Sequence, residues 1–545
     1  MQNLSTSLGW KRRTGMVAAG LAVTLALAAC GGGGGGGGGN GDDQTLIIGI
    51  ESEADVLDPQ AAGGWVTWRI NSQMYEPLVM HDLQTPSEEA AVPELRPGLA
   101  ESWEVSDDGL EYTFDIRQGV TFHDGTDLDA EAVEYNIRRM WDESSPQYSA
   151  TAAGQTNFVW QFVDEVESVD EHTLVVRMSQ PFSPFLRMLA QGGNGSTGII
   201  SPAALEEYGE DIAEHPSGTG PFVFEERVRG ERIALARNDD YWGEVPDLDG
   251  VIFVPIPDPA GRSAAIRSGE VDVIAVPSPD SVEQLVDEGF QLSDGQPPHV
   301  WYLSFNMEDE YMAIPEVRQA INLAIDREGM ATNLLRGTAE PAYDIQAPAN
   351  DAYVERTDAY GRDLDRAREL LAEVGLEDGF STSIATSVDG SGQIVPAPMA
   401  EFIQQNLAEV NIDVQIQTME WISYLGRWGE GAGDVGMMQM SWGMDTPYWL
   451  YIVTSADMIA PNGPNTGYYD NPELDAVMQR AITAPTEEEA VEFWQQANQI
   501  ATDDAALAPI VNDRAPYILA PHVEGWVSAS QEWYDLTGVS LDLEG

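Results

Sequence analysis

Cys30 is the only cysteine in 545 residues. An intramolecular disulfide and a cysteine metal cluster are both impossible, so a chain of this length must hold together through buried apolar cores. The surroundings of Cys30 constrain it further. Lys11-Arg12-Arg13 form a basic start, and Thr14 to Ala29 are an uncharged, mostly apolar run that closes on Leu27-Ala28-Ala29-Cys30. That run falls short of the about 20 residues of a membrane span. Small residues ahead of a cysteine read as a secretory signal with a lipobox, so residues 1–29 are an expected signal peptide and Cys30 an expected lipid acceptor. Gly31 to Gly39 then make a flexible tether through residue 43. They satisfy a GxGxxG pattern trivially, without the strand and helix that a phosphate loop needs. No later stretch is long and apolar enough to span a bilayer, so the expected location is extracytoplasmic, held to the outer face of the membrane by the N-terminal lipid alone.

Charge narrows the partners. Of the 26 basic residues three precede residue 14, so 23 arginines and no lysine face all 91 acids, and the balance moves from −65 to −68. Such a chain repels phosphate backbones and anionic headgroups, which excludes nucleic acid and electrostatic membrane docking. It is no disordered tail, because 43% of residues are hydrophobic and 15 are Trp. The acids read as a solvated surface suited to high salt, where the Debye length at 1 M is about 3 Å.

Periodicity indicates an α/β chain without repeats. Thr45–Ile50 reads as a buried strand and Leu110–Ile116 as a half-buried one. Asp129–Asp142 reads as a helix capped by Asp129. Asp363–Val374, ended by Gly375, Met399–Val410 and Thr486–Thr502 are further helices. Ser106-Asp107-Asp108-Gly109 is a hairpin turn, His123 a satisfied turn residue, and Gly218-Thr219-Gly220-Pro221 a tight chain crossing.

Several blocks, in order, together resemble the extracytoplasmic solute-binding proteins of peptide-type ABC transporters (family 5, the oligopeptide and dipeptide binders). They are Leu99–Gly109 with Tyr112-Thr113-Phe114 and Phe122-His123-Asp124-Gly125, then Gly218–Phe222, Arg237–Gly243 and Ser268–Asp272. Leu303–Asn306, Val317–Asn322 and Gly467–Asp475 complete the set. The resemblance covers essentially the whole mature chain. It implies an α/β, two-lobed periplasmic-binding-protein-like fold (type II, cluster C-like) with mixed sheets, a hinge of two crossing strands and an inserted domain. The implied segments are 44–80, 198–299 and 511–545 for the first lobe, 81–197 for the insertion and 300–510 for the second lobe. Ligand is then enclosed by hinge closure. The implied partners are a peptide or other solute and the permease subunits, with a monomeric protein and no cofactor.

Two segments carry the expected site. Gly63, Gly64, Trp65 and Trp68 follow the opening strand. Ser441, Trp442, Gly443, Met444 and Asp445, with Trp421 and Trp449 nearby, come from the other lobe. The family pairs such segments with a peptide backbone in the manner of an added strand, and Asp445 falls where peptide binders hold the ligand's α-amino group. The chain departs from dipeptide binders at Ser387–Gly392, which lacks their arginine, and at Asp445–Trp449, which lacks a second acid. A longer peptide with an unclamped C-terminus fits better than a dipeptide. The tryptophans keep an oligosaccharide open as ligand, since flat aromatic faces suit sugar rings. An extracellular hydrolase is the alternative from another class, and a signalling receptor on the same fold is a third. A cysteine nucleophile, a Schiff-base lysine and a lysine-dependent nucleotide loop are impossible in the mature chain. The six histidines are scattered without metal-ligand spacing, so neither enzyme activity nor a metal site is expected.

Overall fold

The strand Thr45–Ile50 lies at the middle of a seven-stranded mixed sheet, with parallel neighbours Gly250–Pro255 and Val273–Ala275. Its side chains explain that place, because Leu46, Ile48 and Ile50 are all buried against Leu235 and Phe253. The computed structural model describes residues 44–190, 196–295, 299–388, 395–443, 446–530 and 533–543. The expected signal, tether and Cys30 lie outside the described residues, as do Met444 and Asp445.

A second sheet has six strands in the order Ala339–Pro341, Leu507–Asp513, His299–Phe305, Met437–Gly443, Phe380–Ser387, Ile412–Met419. Phe380–Ser387 runs parallel to both its neighbours, and the helix Pro396–Ala408 bridges it to Ile412–Met419, as parallel neighbours require. The third sheet is antiparallel and built from Ala100–Val105, Glu111–Ile116, Thr173–Met178 and Val163–Asp170. The chain passes between the two large sheets twice. It leaves the first at Gln291–Ser293 to enter the second at His299, and returns from Asp513 to Tyr517–Leu519. The fold is the expected mixed α/β type.

Local physics sets the helix ends. Asp129 Oδ1 accepts from Ala132 N at 2.8 Å and starts Ala130–Trp141, which buries Val133, Ile137 and Met140. Asp363 caps Leu364–Glu373 and Thr486 caps Glu487–Asp503. The helix expected from Met399 begins three residues earlier, at Pro396. Proline fits the first helical turn because the amide it lacks would have no partner there. The Glu111–Ile116 strand turns buried faces at Tyr112, Phe114 and Ile116, and Gly109 in its hairpin takes φ +68°.

The glycine-rich crossing is a close approach of two chain segments. A Cβ on Gly218 would lie 2.2 Å from Met74 O and 2.6 Å from Tyr75 Cδ1. Gly220 N and Phe222 N donate to the Met74 and Gln73 carbonyls (2.9 and 3.0 Å). His123 ties its turn to the same crossing, with Nε2 donating to Gly220 O at 3.0 Å. Glu76 anchors it from below, accepting from Thr219 Oγ1 (2.8 Å), Tyr241 Oη (2.7 Å) and Trp242 Nε1 (2.6 Å). Burial pushes that carboxyl up to about 7 despite the three donors.

The third sheet shares its core with the segment 446–494. Phe182 meets Tyr448 edge-on at 5.2 Å, Phe158 lies 6.0 Å from Trp449, and Ser183 N donates to Ile482 O at 2.9 Å. Two fully or nearly buried ion pairs cross between segments far apart in sequence: Arg69 with Glu51 (3.1 Å) and Arg139 with Asp58 (2.5 Å).

Gly218→Ala is expected to destabilise the protein by about 1–3 kcal/mol, because the new methyl must displace backbone at the crossing. Urea denaturation at constant high salt checks this; an unchanged midpoint would show that the crossing has slack.

Candidate functional site

The first expected segment is built as a gripped loop followed by a short helix. Asp58 O accepts from Ala61 N and Ala62 N, and its carboxylate is held by Arg139 and by Gln60 N. Gly63 N donates to Asp55 Oδ2 at 3.2 Å, and Thr67 Oγ1 bonds the other oxygen of the same carboxylate. The helix Trp65–Asn71 then starts after extended Gly64. Trp65 and Trp68 stand three residues apart on one helix face, with ring centroids 5.9 Å apart. Trp65 stacks on Trp533 at 4.7 Å and 18°, and meets the His299 ring edge-on at 4.5 Å. Trp68 Nε1 is spent on Ala62 O at 3.1 Å. Both indoles are half-buried, while Gly64 is buried and Gly63 half-buried.

The second segment is the end of Met437–Gly443, a central strand of the six-stranded sheet. Its register places Gly443 opposite His299, Trp442 opposite Val300 and Ser441 opposite Trp301. Strand alternation sends Ser441, buried, to one face and Trp442, half-buried, to the other. Trp442 packs 4.8 Å from Trp449 and 6.4 Å from Trp428. Trp449 is 2% exposed, enclosed by Trp442 and Phe158; it backs Trp442 and offers no free face in this conformation. Trp421 opens the helix Trp421–Glu430, half-buried and 6.3 Å from the Tyr424 ring.

His299 joins the two segments. It touches Trp65 on one side and pairs with Gly443 on the other, as the first residue of its strand. Sequence reasoning left it among six scattered histidines, because every residue of His299–Phe305 is buried and nothing in that run distinguishes a polar member. Trp533 was missed too. It arrives from the C-terminal segment, where no periodicity announces a buried aromatic.

Beneath the aromatics lie two buried ionisable side chains, His299 and Asp513. Burial, helped by Arg69, pushes His299 down to about 3, so the ring is neutral. Neither ring nitrogen has a hydrogen-bond partner among the described residues. Asp513, opposite His299 in the neighbouring strand, is pushed up to about 7 by burial. It accepts from Ala515 N at 2.8 Å and only weakly from Trp301 Nε1 at 3.4 Å. Removing one partner of the nearby Arg69–Glu51 pair would cost about 3–5 kcal/mol. No three His, Cys, Asp or Glu among the described residues are placed to hold a metal, and no described helix is long and apolar enough to cross a membrane.

Two large mixed sheets linked by two passages, with aromatic segments from each meeting at the link, define a two-lobed binding protein of the periplasmic type. The model of bacterial extracellular solute-binding proteins, family 5, matches residues 94–457, and the chain belongs to that family. It is 28% identical over 513 residues to the glutathione-binding protein GsiB of Escherichia coli O1:K1, covering 92% of this chain and 93% of that protein. Among solved structures it is similar to the periplasmic binding protein DppA from Helicobacter pylori in complex with peptide STSA, with TM-score 0.82, 27% identity, and 91% and 98% of the two chains covered. It shares its fold with a dipeptide-binding protein from Pseudoalteromonas sp. SM9913 in complex with Met-Leu, with TM-score 0.81, 24% identity, and 92% and 100% covered. The chain is accordingly a solute-binding component of an ABC transport system, and its relatives work outside the cytoplasm.

Asp513 holds its proton to about 7 in the folded protein, whereas an unfolded aspartate releases it near about 3.9. Its contribution to stability is therefore full at acid pH and declines as pH rises through that window. Asp513→Asn is expected to flatten the decline by one proton, gaining on wild type between pH 4 and pH 8. Parallel slopes in denaturation midpoints across that range would contradict the assignment.

Proposed function

We propose that the protein is an extracytoplasmic lipoprotein that captures an oligopeptide between two closing lobes and delivers it to a permease for import. We take residues 44–80, 198–299 and 511–545 as one lobe, 300–510 as the other and 81–197 as the inserted domain. The observation that carries the reading is the meeting at His299. Trp65, on the helix that follows the central strand of the first sheet, and the Gly443 end of the second sheet's central strand lie beside the two passages about which lobes would turn. A ligand touching both favours closure by contacting both at once. The end of a strand suits main-chain pairing, which binds peptides without reading their side chains. Peptidic ligands named for the relatives support the same class.

An oligosaccharide is the second reading, favoured by the half-buried faces of Trp65, Trp68, Trp421 and Trp442. Mass spectrometry of ligand released from gently purified protein separates the two: peptide masses support the proposal, and a hexose ladder replaces it. Intact recovery of that ligand after prolonged incubation distinguishes a binder from a hydrolase.

Asp445 is proposed as the anchor of the peptide's α-amino group. Asp445→Ala should weaken peptide binding by about 2–5 kcal/mol, the range for truncating one partner of a desolvated charge pair, with thermal stability nearly unchanged. Calorimetry at matched high salt tests it, and equal affinities in the two proteins would sink the anchor. Cys30→Ser is expected to release the protein from the membrane fraction into the medium; retention would rule out the lipid anchor.

A further inference from the structure

Both passages between the large sheets carry a charged side chain, and the two are in contact. Arg514 follows Asp513 at the start of the return passage, and Asp294 follows Ser293 at the start of the outgoing one. The backbones are joined as well, with Gly295 N donating to Arg514 O (3.3 Å) and Arg514 N to Thr338 O (3.0 Å). The half-exposed guanidinium stands between two carboxylates, Asp294 at 3.4 Å and Glu340 at 3.7 Å, and its buried Nε makes no hydrogen bond. Both distances exceed the about 2.8 Å of a tight charge-assisted bond, so the arginine is committed to neither acid. The two acids adjoin different sheets. Asp294 borders Gln291–Ser293, the edge strand of the first, and Glu340 lies in Ala339–Pro341, the edge strand of the second. A second ion pair crosses nearby, Arg336 Nε with Asp280 Oδ1 at 2.9 Å, from the turn before Ala339–Pro341 to the helix Pro279–Asp287. The backbone beside these groups is strained. Val276, Arg336 and Ala515 take φ +46°, +52° and +44°, a region that residues with a Cβ enter only where their surroundings dictate it.

We propose that Arg514 is a latch on the hinge, bound to Asp294 when the cleft is open and to Glu340 when it is shut, and that its choice of partner sets how readily the cleft closes. The inference rests on the reading of the two large sheets as closing lobes and supplies the element that biases them. Its direction follows from strand order. In the second sheet the passage strands Leu507–Asp513 and His299–Phe305 have Ala339–Pro341 on one side and Met437–Gly443 on the other. In the first sheet Gln291–Ser293 is the outer edge, and Thr45–Ile50, which leads to Trp65, lies inward of both passage strands. The candidate site is therefore on one flank of the passages and the two ion pairs are on the other. A turn about the passages that brings Gly443 toward the first sheet moves Glu340 away from it, as the two arms of a lever move. Arg514, fixed to the second sheet through Asp513 and Thr338, then leaves Asp294 and keeps Glu340. Pairing of Arg514 with Asp294, and of Arg336 with Asp280, thus favours the open arrangement, and pairing of Arg514 with Glu340 releases it. Such pairs change the apparent affinity for a bound molecule they never touch, because they change the population of the state that binds.

Three near-isosteric variants of the full-length protein test the latch: Asp280→Asn, Asp294→Asn and Glu340→Gln. Each removes one negative charge, so the overall field of the protein changes alike in all three. Small-angle X-ray scattering reads the compactness of the ligand-free proteins, and calorimetric titration with penta-alanine reads affinity, in one buffer of fixed salt. Asp280→Asn and Asp294→Asn are expected to be more compact than wild type and to bind penta-alanine about two- to fivefold tighter, the range that exposed and half-exposed ion pairs support. Glu340→Gln is expected to be less compact and to bind about two- to fivefold weaker, because Arg514 is then left to Asp294 alone. Shifts of the same sign in all three, or no shift in any, would overturn the latch. Should Asp294→Asn fail to fold, the opposite signs of Asp280→Asn and Glu340→Gln still decide. A wild type that binds penta-alanine without becoming more compact removes the closing lobes themselves, and the latch with them. If penta-alanine does not bind, the peptide reading falls, and scattering from the ligand-free proteins decides the latch alone.

Discussion

The in-register pair of His299 and Asp513 sits where the chain both enters and leaves the six-stranded sheet, and much of the architecture is arranged around keeping that point dry. Both residues are buried, one as a neutral imidazole and the other with its carboxyl pushed up to about 7. Two polar groups in such a place are tolerable only if neighbouring segments close over them. Trp65 and Trp533 do so from the first and last parts of the mature chain, and the Arg69–Glu51 pair lies beside them. The two passages between the large sheets begin at Ser293 and end at Tyr517 on the first sheet, with His299 and Asp513 at their ends on the second. The same junction therefore connects the mechanics of the fold to the aromatic faces proposed to meet ligand.

Arginine is used sparingly, and five of the 23 beyond residue 13 are buried. Arg327 donates to the carbonyls of Pro509, Asn322 and Tyr360, and Arg262 to those of Ile256, Pro257 and Val276. These guanidiniums fasten loops whose carbonyls would otherwise be buried without donors, a use for which a planar five-donor group is better suited than an ammonium. The acids, in contrast, are largely solvated and serve as surface.

Helix and strand positions were legible wherever the determining interaction was local. Asp129, Asp363 and Thr486 each cap a helix by bonding an amide two or three residues on, so the starts could be read from a few neighbouring letters. Alternation in Glu111–Ile116 and the apolar run of Thr45–Ile50 translated directly into half-buried and buried strands. The Pro396 start was obscured because a proline preceding an apolar run looks equally like a loop. The site was legible only in part. The two tryptophan-bearing segments could be found from resemblance, but their common neighbour could not, since His299 is one polar letter in a wholly buried strand. The grip of Arg139 on Asp58 joins residues 81 apart and leaves no local pattern at all.

By itself, the sequence determined the absence of an intramolecular disulfide, the acid surplus, the α/β character and the blocks that mark the family. Those properties follow from composition and from contacts between near neighbours, which the order of residues states outright. Tertiary structure alone decided that Trp65, His299, Trp533 and Gly443 share one place, that Trp449 is wall and not surface, and that Arg69 and Arg139 are buried against Glu51 and Asp58. Such facts depend on which distant segments pack together, and burial, which pushes the His299 imidazole down and the Asp513 carboxyl up, exists only after they have done so.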